Sequence, residues 1–234
     1  MQYPPAPALD FKTREQAAYE SIRQAIIQGR WGPGEPVVVS RIATDLGVSR
    51  ITIANALKRL AGEGFVRLTP HKEAVVARLD PDGVREIYLM RAALEALAAG
   101  EAAARIQAAH LDEAARLNDA VRQRRAELPR AIHALRTADR AFHRHVRTAA
   151  GMPRLEQLLE NLADQCEYYR SRLLDPSRLS VPDPDAHAAL LAHLGRRDRD
   201  AAAGFMRDHI LGGMRTVLAT LEQLGGGDTG REVR

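Results

Sequence analysis

Two helical segments separated by a glycine, with a serine placed to start the second, constrain this chain more than any other stretch. Residues 41–46 put Ile42, Ala43 and Leu46 on one face at helical spacing. Gly47 follows, a residue that reaches positive φ without steric cost and so permits a sharp turn. Ser49 can accept an orphan backbone N–H and cap the next helix. Within that helix Ile53, Ala56, Leu57 and Leu60 recur at i, i+3, i+4 and i+7, which predicts an inward face. Two short strands over 64–69 and 74–78 should then form a wing, joined by a tip running from Thr69 to Glu73. Val37-Val38-Val39, upstream of the pair, reads as a minor strand.

This pattern predicts a winged helix-turn-helix that grips a DNA duplex. The outward side of the second helix shows Arg50, Thr52, Asn55 and Arg59. Arginine can fork onto guanine O6 and N7, and asparagine can pair with adenine. A recognition helix touches bases mainly through its N-terminal residues, so Arg50 leads, with Ser49 and Thr52 beside it. Arg41 and the wing-tip Lys72 complete the expected nucleic-acid set. A helical hairpin with a solvated charged face would share the bare pattern; the serine cap, Arg50 and the wing favour DNA. Charge placement agrees. Residues 1–79 carry 11 Lys/Arg against 7 Asp/Glu, and residues 80–234 carry 23 of each, so the whole net charge of +4 lies with the first part.

The chain reads as mainly α, with a disordered arm over 1–11, the winged unit over 12–79, an all-α bundle of about six helices over 80–224, and a flexible tail over 225–234. Asp80-Pro81 opens the bundle, since aspartate caps and proline suits a first turn. Helices are expected near 82–106, 110–127, 130–150, 153–174, 183–195 and 198–223, with breaks at Pro129, Gly151 to Pro153, Asp175 to Pro184, and Gly195 to Asp198. The single cysteine, Cys166, suits a reducing compartment. There is no signal-peptide pattern and no apolar run near the ~20 residues that cross a bilayer. A cytoplasmic protein with no membrane role is expected.

Inside the bundle, Asp139 and His143 stand at i, i+4 and project from one helix face. His187 lies in the fifth bundle helix and His209 in the sixth. A carboxylate and imidazoles from facing helices are how bundles build internal metal sites. The same i, i+4 pair is also an ordinary surface ion pair. Three imidazoles and one carboxylate would suit a divalent transition metal, Zn²⁺ or Ni²⁺ first. His145 should point away from this set and be exposed.

Taken together, these segments resemble the GntR family of bacterial transcription regulators, in its FadR-type branch. The resemblance runs over residues 13–222. It rests on Leu46-Gly47-Val48-Ser49-Arg50, Ala56-Leu57-Lys58-Arg59-Leu60 and Gly64-Phe65-Val66 in the first part. In the second it rests on Arg91-Ala92-Ala93-Leu94-Glu95, Asp139-Arg140-Ala141-Phe142-His143, His187 and Asp208-His209-Ile210. Six bundle helices are similar to the VanR-like subgroup. The resemblance implies that Asp139, His143, His187 and His209 hold a metal that helps bind a small carboxylate effector, and that a homodimer grips a double-stranded operator. It also places Arg91 near the effector, where an ion pair with Glu95 is the alternative role. Arg147 and Arg170 are further effector candidates. Ala54, Glu73, Val39 and Met152 stand where the family usually carries arginine, glycine, an acidic residue and asparagine.

The function implied is a ligand-responsive regulator, most often a repressor, without catalytic residues. Three other readings fit the same residues: a metal-dependent enzyme with a DNA-binding arm, a regulator that senses the metal itself, and a constitutive DNA-binding protein whose bundle only dimerises it.

Overall fold

The computed structural model describes residues 14–69, 74–78, 80–173 and 182–225. The expected arm over 1–11, the wing-tip Lys72 and most of the expected tail lie outside the described residues. The chain divides into two compact units at the junction of residues 78 and 79.

The first unit begins with α1 (Arg14–Ile27), followed by β1 (Pro36–Val37), α2 (Val39–Leu46), α3 (Arg50–Gly62), β2 (Val66–Leu68) and β3 (Ala74–Val76). Its core joins Ala18, Ile22 and Ile26 of α1 to Ile53, Ala56, Leu57 and Leu60 of α3, with Phe65 and Val76 beneath. Gly47 has φ 63°, and its N–H reaches the carbonyls of Ala43 and Thr44, so α2 ends in the left-handed turn that glycine allows. Ser49 Oγ accepts the Thr52 N–H at 3.1 Å and starts α3. The wing is a three-stranded antiparallel sheet in the order β1-β3-β2, with Pro36 opposite Val75 and Leu68 opposite Ala74.

Two local expectations give way here. The strand expected over Val37 to Val39 stops at Val37, because Val38 is the N-cap of α2 and Val39 its first residue. Leu46, expected on the inward face of α2, is 39% exposed. It is the last helical residue before the chain swings away at Gly47, so Ile42 and Ala43 carry the buried contact.

The second unit is all helical: α4 (Pro81–Arg105), α5 (Ala108–Ala126), α6 (Ile132–Ala149), α7 (Pro153–Leu173), α8 (Pro184–Gly195) and α9 (Arg199–Gly225). Asp80 caps α4 through the Gly83 N–H at 2.7 Å, with Pro81 in the first turn. The core runs through Val84, Tyr88, Ala92, Ala99 and Ala102 of α4, Phe142 and Val146 of α6, Leu159 and Cys166 of α7, Leu190 of α8, and Met206 and Ile210 of α9. Small residues let α4 and α9 lie close: a Cβ on Gly100 would stand 3.4 Å from the Arg199 carbonyl oxygen. No described helix is long and apolar enough to cross a membrane.

Candidate metal centre and candidate nucleic-acid interface

Three helices deliver the imidazoles to one point. His143 comes from α6, His187 from α8 and His209 from α9, and a ring nitrogen of each lies within 4.8 Å of the others. The His143 and His187 rings are perpendicular, with centroids 5.0 Å apart. The His209 ring lies 5.3 Å from His143 and 5.7 Å from His187. Asp139 reaches two of the three: its Oδ1 is 3.3 Å from His187 Nε2 and 3.7 Å from His143 Nε2. Phe142 stacks on the His187 ring at 4.1 Å and fixes its plane.

Burial shifts two of the imidazoles, His143 and His209. It pushes the His143 imidazole well below its ordinary range; Asp139 opposes this, and His187, His209 and Arg91 reinforce it. Burial, with His187 nearby, lowers His209 too. For Asp139, burial alone would raise the carboxyl. The surrounding His143, His187 and Arg170 outweigh it and hold Asp139 below the usual carboxylate range. Uncharged imidazoles beside an ionised carboxylate are the forms that ligate a metal. Moreover, His187 Nε2 and His143 Nδ1 are buried without a hydrogen-bond partner. Leaving such atoms unpaired costs about 1–3 kcal/mol each, and a bound cation would remove that cost for any nitrogen it ligates. The donor set thus fits a divalent first-row ion.

Above this group lies a cavity of about 280 Å³, lined among others by Tyr88, Arg91, Asp139, His143, Arg170 and His209. Arg91 lines the cavity, and its Nε donates to Glu95 Oε1 at 3.3 Å, the ion pair its i, i+4 spacing allowed. Arg170 also faces the cavity. Arg147 does not. It is 2% exposed, and its two Nη atoms donate to Glu95 at 3.0 Å and Glu160 at 2.8 Å, so it ties α6 to α4 and α7 instead. Tyr88 was missed, although it stands three residues before Arg91 and therefore shares its face. Thr216 was missed too, with nothing but its helix period to mark it. His145 is half-buried, not exposed, because its Nε2 is engaged at the His110 carbonyl, 3.0 Å away.

On the first unit, Arg50 is the first residue of α3 and is exposed, as is Arg41 on α2. Ser49 lies exposed beside Arg50 and Thr52 is half-buried, with their hydroxyls 2.8 Å apart. Asn55 and Arg59 are held differently. Asn55 Nδ2 donates to Glu15 on α1 at 3.3 Å. The Arg59 guanidinium lies over the Tyr19 ring at 3.7 Å and donates to Gln16 at 2.7 Å and Glu63 at 3.2 Å. Both residues lock α3 to the scaffold, because α1 covers the side of α3 that a wheel drawn on α3 alone leaves open. Arg50, Ile51 and Lys58 are exposed on α3, and Arg59 stays exposed as well despite its contacts to α1. Ile51 is 75% exposed.

Comparison with known proteins extends both halves. Residues 14–76 match the model for bacterial regulatory proteins of the gntR family, and residues 86–212 match the FCD domain. An uncharacterized HTH-type transcriptional regulator from the TAR-I ttuE-ttuC' intergenic region of Agrobacterium vitis is 40% identical over 86 residues, which is 37% of this chain and 50% of that protein. The uncharacterized HTH-type transcriptional regulator YdhC of Bacillus subtilis is 31% identical over 80 residues, 34% of this chain and 36% of that one. The matched stretch therefore spans half the length of these relatives or less. Among solved structures, E. coli McbR/YncC aligns over 92% of this chain and 100% of its own, with TM-score 0.73 and 20% identity. A GntR protein from Rhodococcus sp. RHA1 aligns over 89% and 99%, with TM-score 0.70 and 21% identity. At these identities the two structures speak to the fold alone.

Proposed function

Because the chain belongs to the gntR family of bacterial regulatory proteins and carries an FCD domain, we propose that it is a cytoplasmic transcription regulator, most simply a repressor, whose hold on DNA responds to a small carboxylate. The winged unit would set α3 in the major groove of one half-site, with Arg50 reading a base and Arg41 on phosphate. A homodimer would place two such helices on a double-stranded operator. Six helices in the second unit, among the described residues, favour a VanR-like subgroup.

One observation carries the effector reading: a cavity of about 280 Å³ is lined by His143, His209 and Asp139 together with the cations Arg91 and Arg170. His143, His187, His209 and Asp139 would hold the ion, Zn²⁺ or Ni²⁺ by donor type. When bound, it would supply a Lewis-acidic position for a carboxylate oxygen. Arg91 and Arg170 would orient the rest of the acid, and Tyr88 would add a phenol at the wall. The arginines favour an organic anion over a role as a pure metal sensor. The ligand can shift operator affinity only by its differential affinity for two dimer states.

Elemental analysis and a thermal-shift screen of small organic acids, each with and without Zn²⁺, test this reading. Bound divalent metal, lost in His209→Ala together with the acid response, is the expected result. Undiminished metal in that variant would remove His209 from the set.

A further inference from the structure

Asn118 on α5 lies outside the group of candidate ligands, yet it is 4% exposed and both ends of its amide are engaged. Its Nδ2 donates to the Pro184 carbonyl at 2.8 Å. Its Oδ1 lies 3.0 Å from His187 Nδ1. These two contacts fix a chain of hydrogen positions. The Pro184 carbonyl can only accept, so the amide nitrogen must face it. The amide oxygen then faces the imidazole, and it too can only accept. The hydrogen of His187 must therefore sit on Nδ1. A neutral imidazole with its hydrogen there carries its lone pair on Nε2. That atom is buried without a hydrogen-bond partner, 3.3 Å from the Asp139 carboxylate oxygen. A neutral His187 would thereby turn a lone pair toward the carboxylate, an arrangement that a shared cation relieves.

We propose that Asn118 is a positioning residue for the metal site: it fixes the His187 tautomer and aims Nε2 as a ligand atom before any ion arrives. The inference rests on the metal reading above. A hydrogen bond from the far nitrogen of a ligating histidine also raises the basicity of the ligating one. The same face of α5 strengthens the hold on α8. Arg122 donates to Asp185 at 2.9 Å and Arg125 to Asp183 at 2.8 Å, so residues at i, i+4 and i+7 from Asn118 grip the start of the helix that bears His187. Those two bridges are solvent-exposed; Asn118 alone of the three touches the ring.

Two measurements on the full chain decide it. Long-range ¹H–¹⁵N NMR of the unaltered, metal-free protein reads the His187 ring, with His187→Gln used for assignment. A hydrogen on Nδ1 is expected; a bare Nδ1 would overturn the proposal. Zn²⁺ titration against a competing chelator then compares variants. Asn118→Leu should bind Zn²⁺ about 10–100-fold more weakly. Asn118→Asp keeps an oxygen that accepts from Nδ1 but loses the donor to the Pro184 carbonyl, so it should recover part of that loss. Arg122→Ala loosens the α8 clasp without touching the ring and should bind like the unaltered chain. A folded Asn118→Leu with unchanged Zn²⁺ affinity overturns the role of Asn118 while leaving the metal reading intact. Absence of Zn²⁺ binding by the unaltered protein overturns both. Should Asn118→Leu fail to fold, the NMR result stands on its own.

Discussion

Arg91 and Arg147 share one oxygen of Glu95: Arg91 Nε lies 3.3 Å from Oε1 and Arg147 Nη1 lies 3.0 Å from it, with Glu95 only 1% exposed. Glu95 thus holds one cation that faces the cavity and one that is sealed in the bundle. Removing it leaves Arg147 short of a buried partner. Glu95→Ala should cost the second unit about 3 kcal/mol, the usual order for a broken buried pair. Urea unfolding reads this directly, and an unchanged midpoint would show that Glu160 alone suffices for Arg147.

Acid should destabilise the metal-free protein before it reaches the carboxylate range. The folded-state values of His143 and His209 lie below the ordinary imidazole value of about 6.5. Between the folded and unfolded values the unfolded chain binds more protons, so stability rises with pH there. The contribution is complete above about pH 7 and is lost as pH falls through 6.5, at up to about 1.4 kcal/mol per pH unit for each group. Asp139, whose value is lowered, acts only further into acid. Thermal melts from pH 7.5 to 5 should show the fall, and His209→Gln should lessen it. A flat profile would mean that these rings are not held uncharged.

Arg50 and Arg59 should separate by assay although they share one helix. Arg50→Ala is expected to weaken binding to an in-vitro-selected operator by about 1–3 kcal/mol and to relax preference at one base pair. Arg59→Ala removes the stack on Tyr19 and the bonds to Gln16 and Glu63, so it should lower stability of the first unit by about 1–2 kcal/mol with base preference intact. Loss of base preference in Arg59→Ala would put that side chain back at the DNA.

Ile51 presents an apolar side chain one residue after Arg50, at 75% exposure. In a major groove the matching apolar feature is the thymine methyl. Replacing thymine by uracil at each operator position should weaken the unaltered protein by roughly 1 kcal/mol at one of them, in keeping with a single buried methyl. Ile51→Ala should be insensitive to the same replacement. An equal response in both proteins would exclude the contact.

Periodicity made the helices legible, because each turns apolar residues inward; Val84, Ala114, Phe142, Leu159, Leu190 and Met206 mark a buried position on each of α4 to α9. The Asp139–His143 pair was legible for the same reason, being one turn apart. What escaped depends on a second element. Nothing on α3 itself reveals that α1 claims Asn55 and Arg59. Nothing near Arg147 tells that Glu95, 52 residues away, waits for it. Asn118 is a lone polar residue on a helix, and its use appears only when α8 brings His187 and the Pro184 carbonyl alongside. The start of α2 at Val39 was hidden because three successive valines favour a strand by propensity, and the fold overrules them after Val37.

His143, His187 and His209 sit on three separate helices, far apart along the chain. A single ion shared among them would tie three helices together in the folded chain alone, and so would stabilise that state by mass action as metal rises. Metal supply would then govern how long this protein survives in a cell, quite apart from which genes it controls.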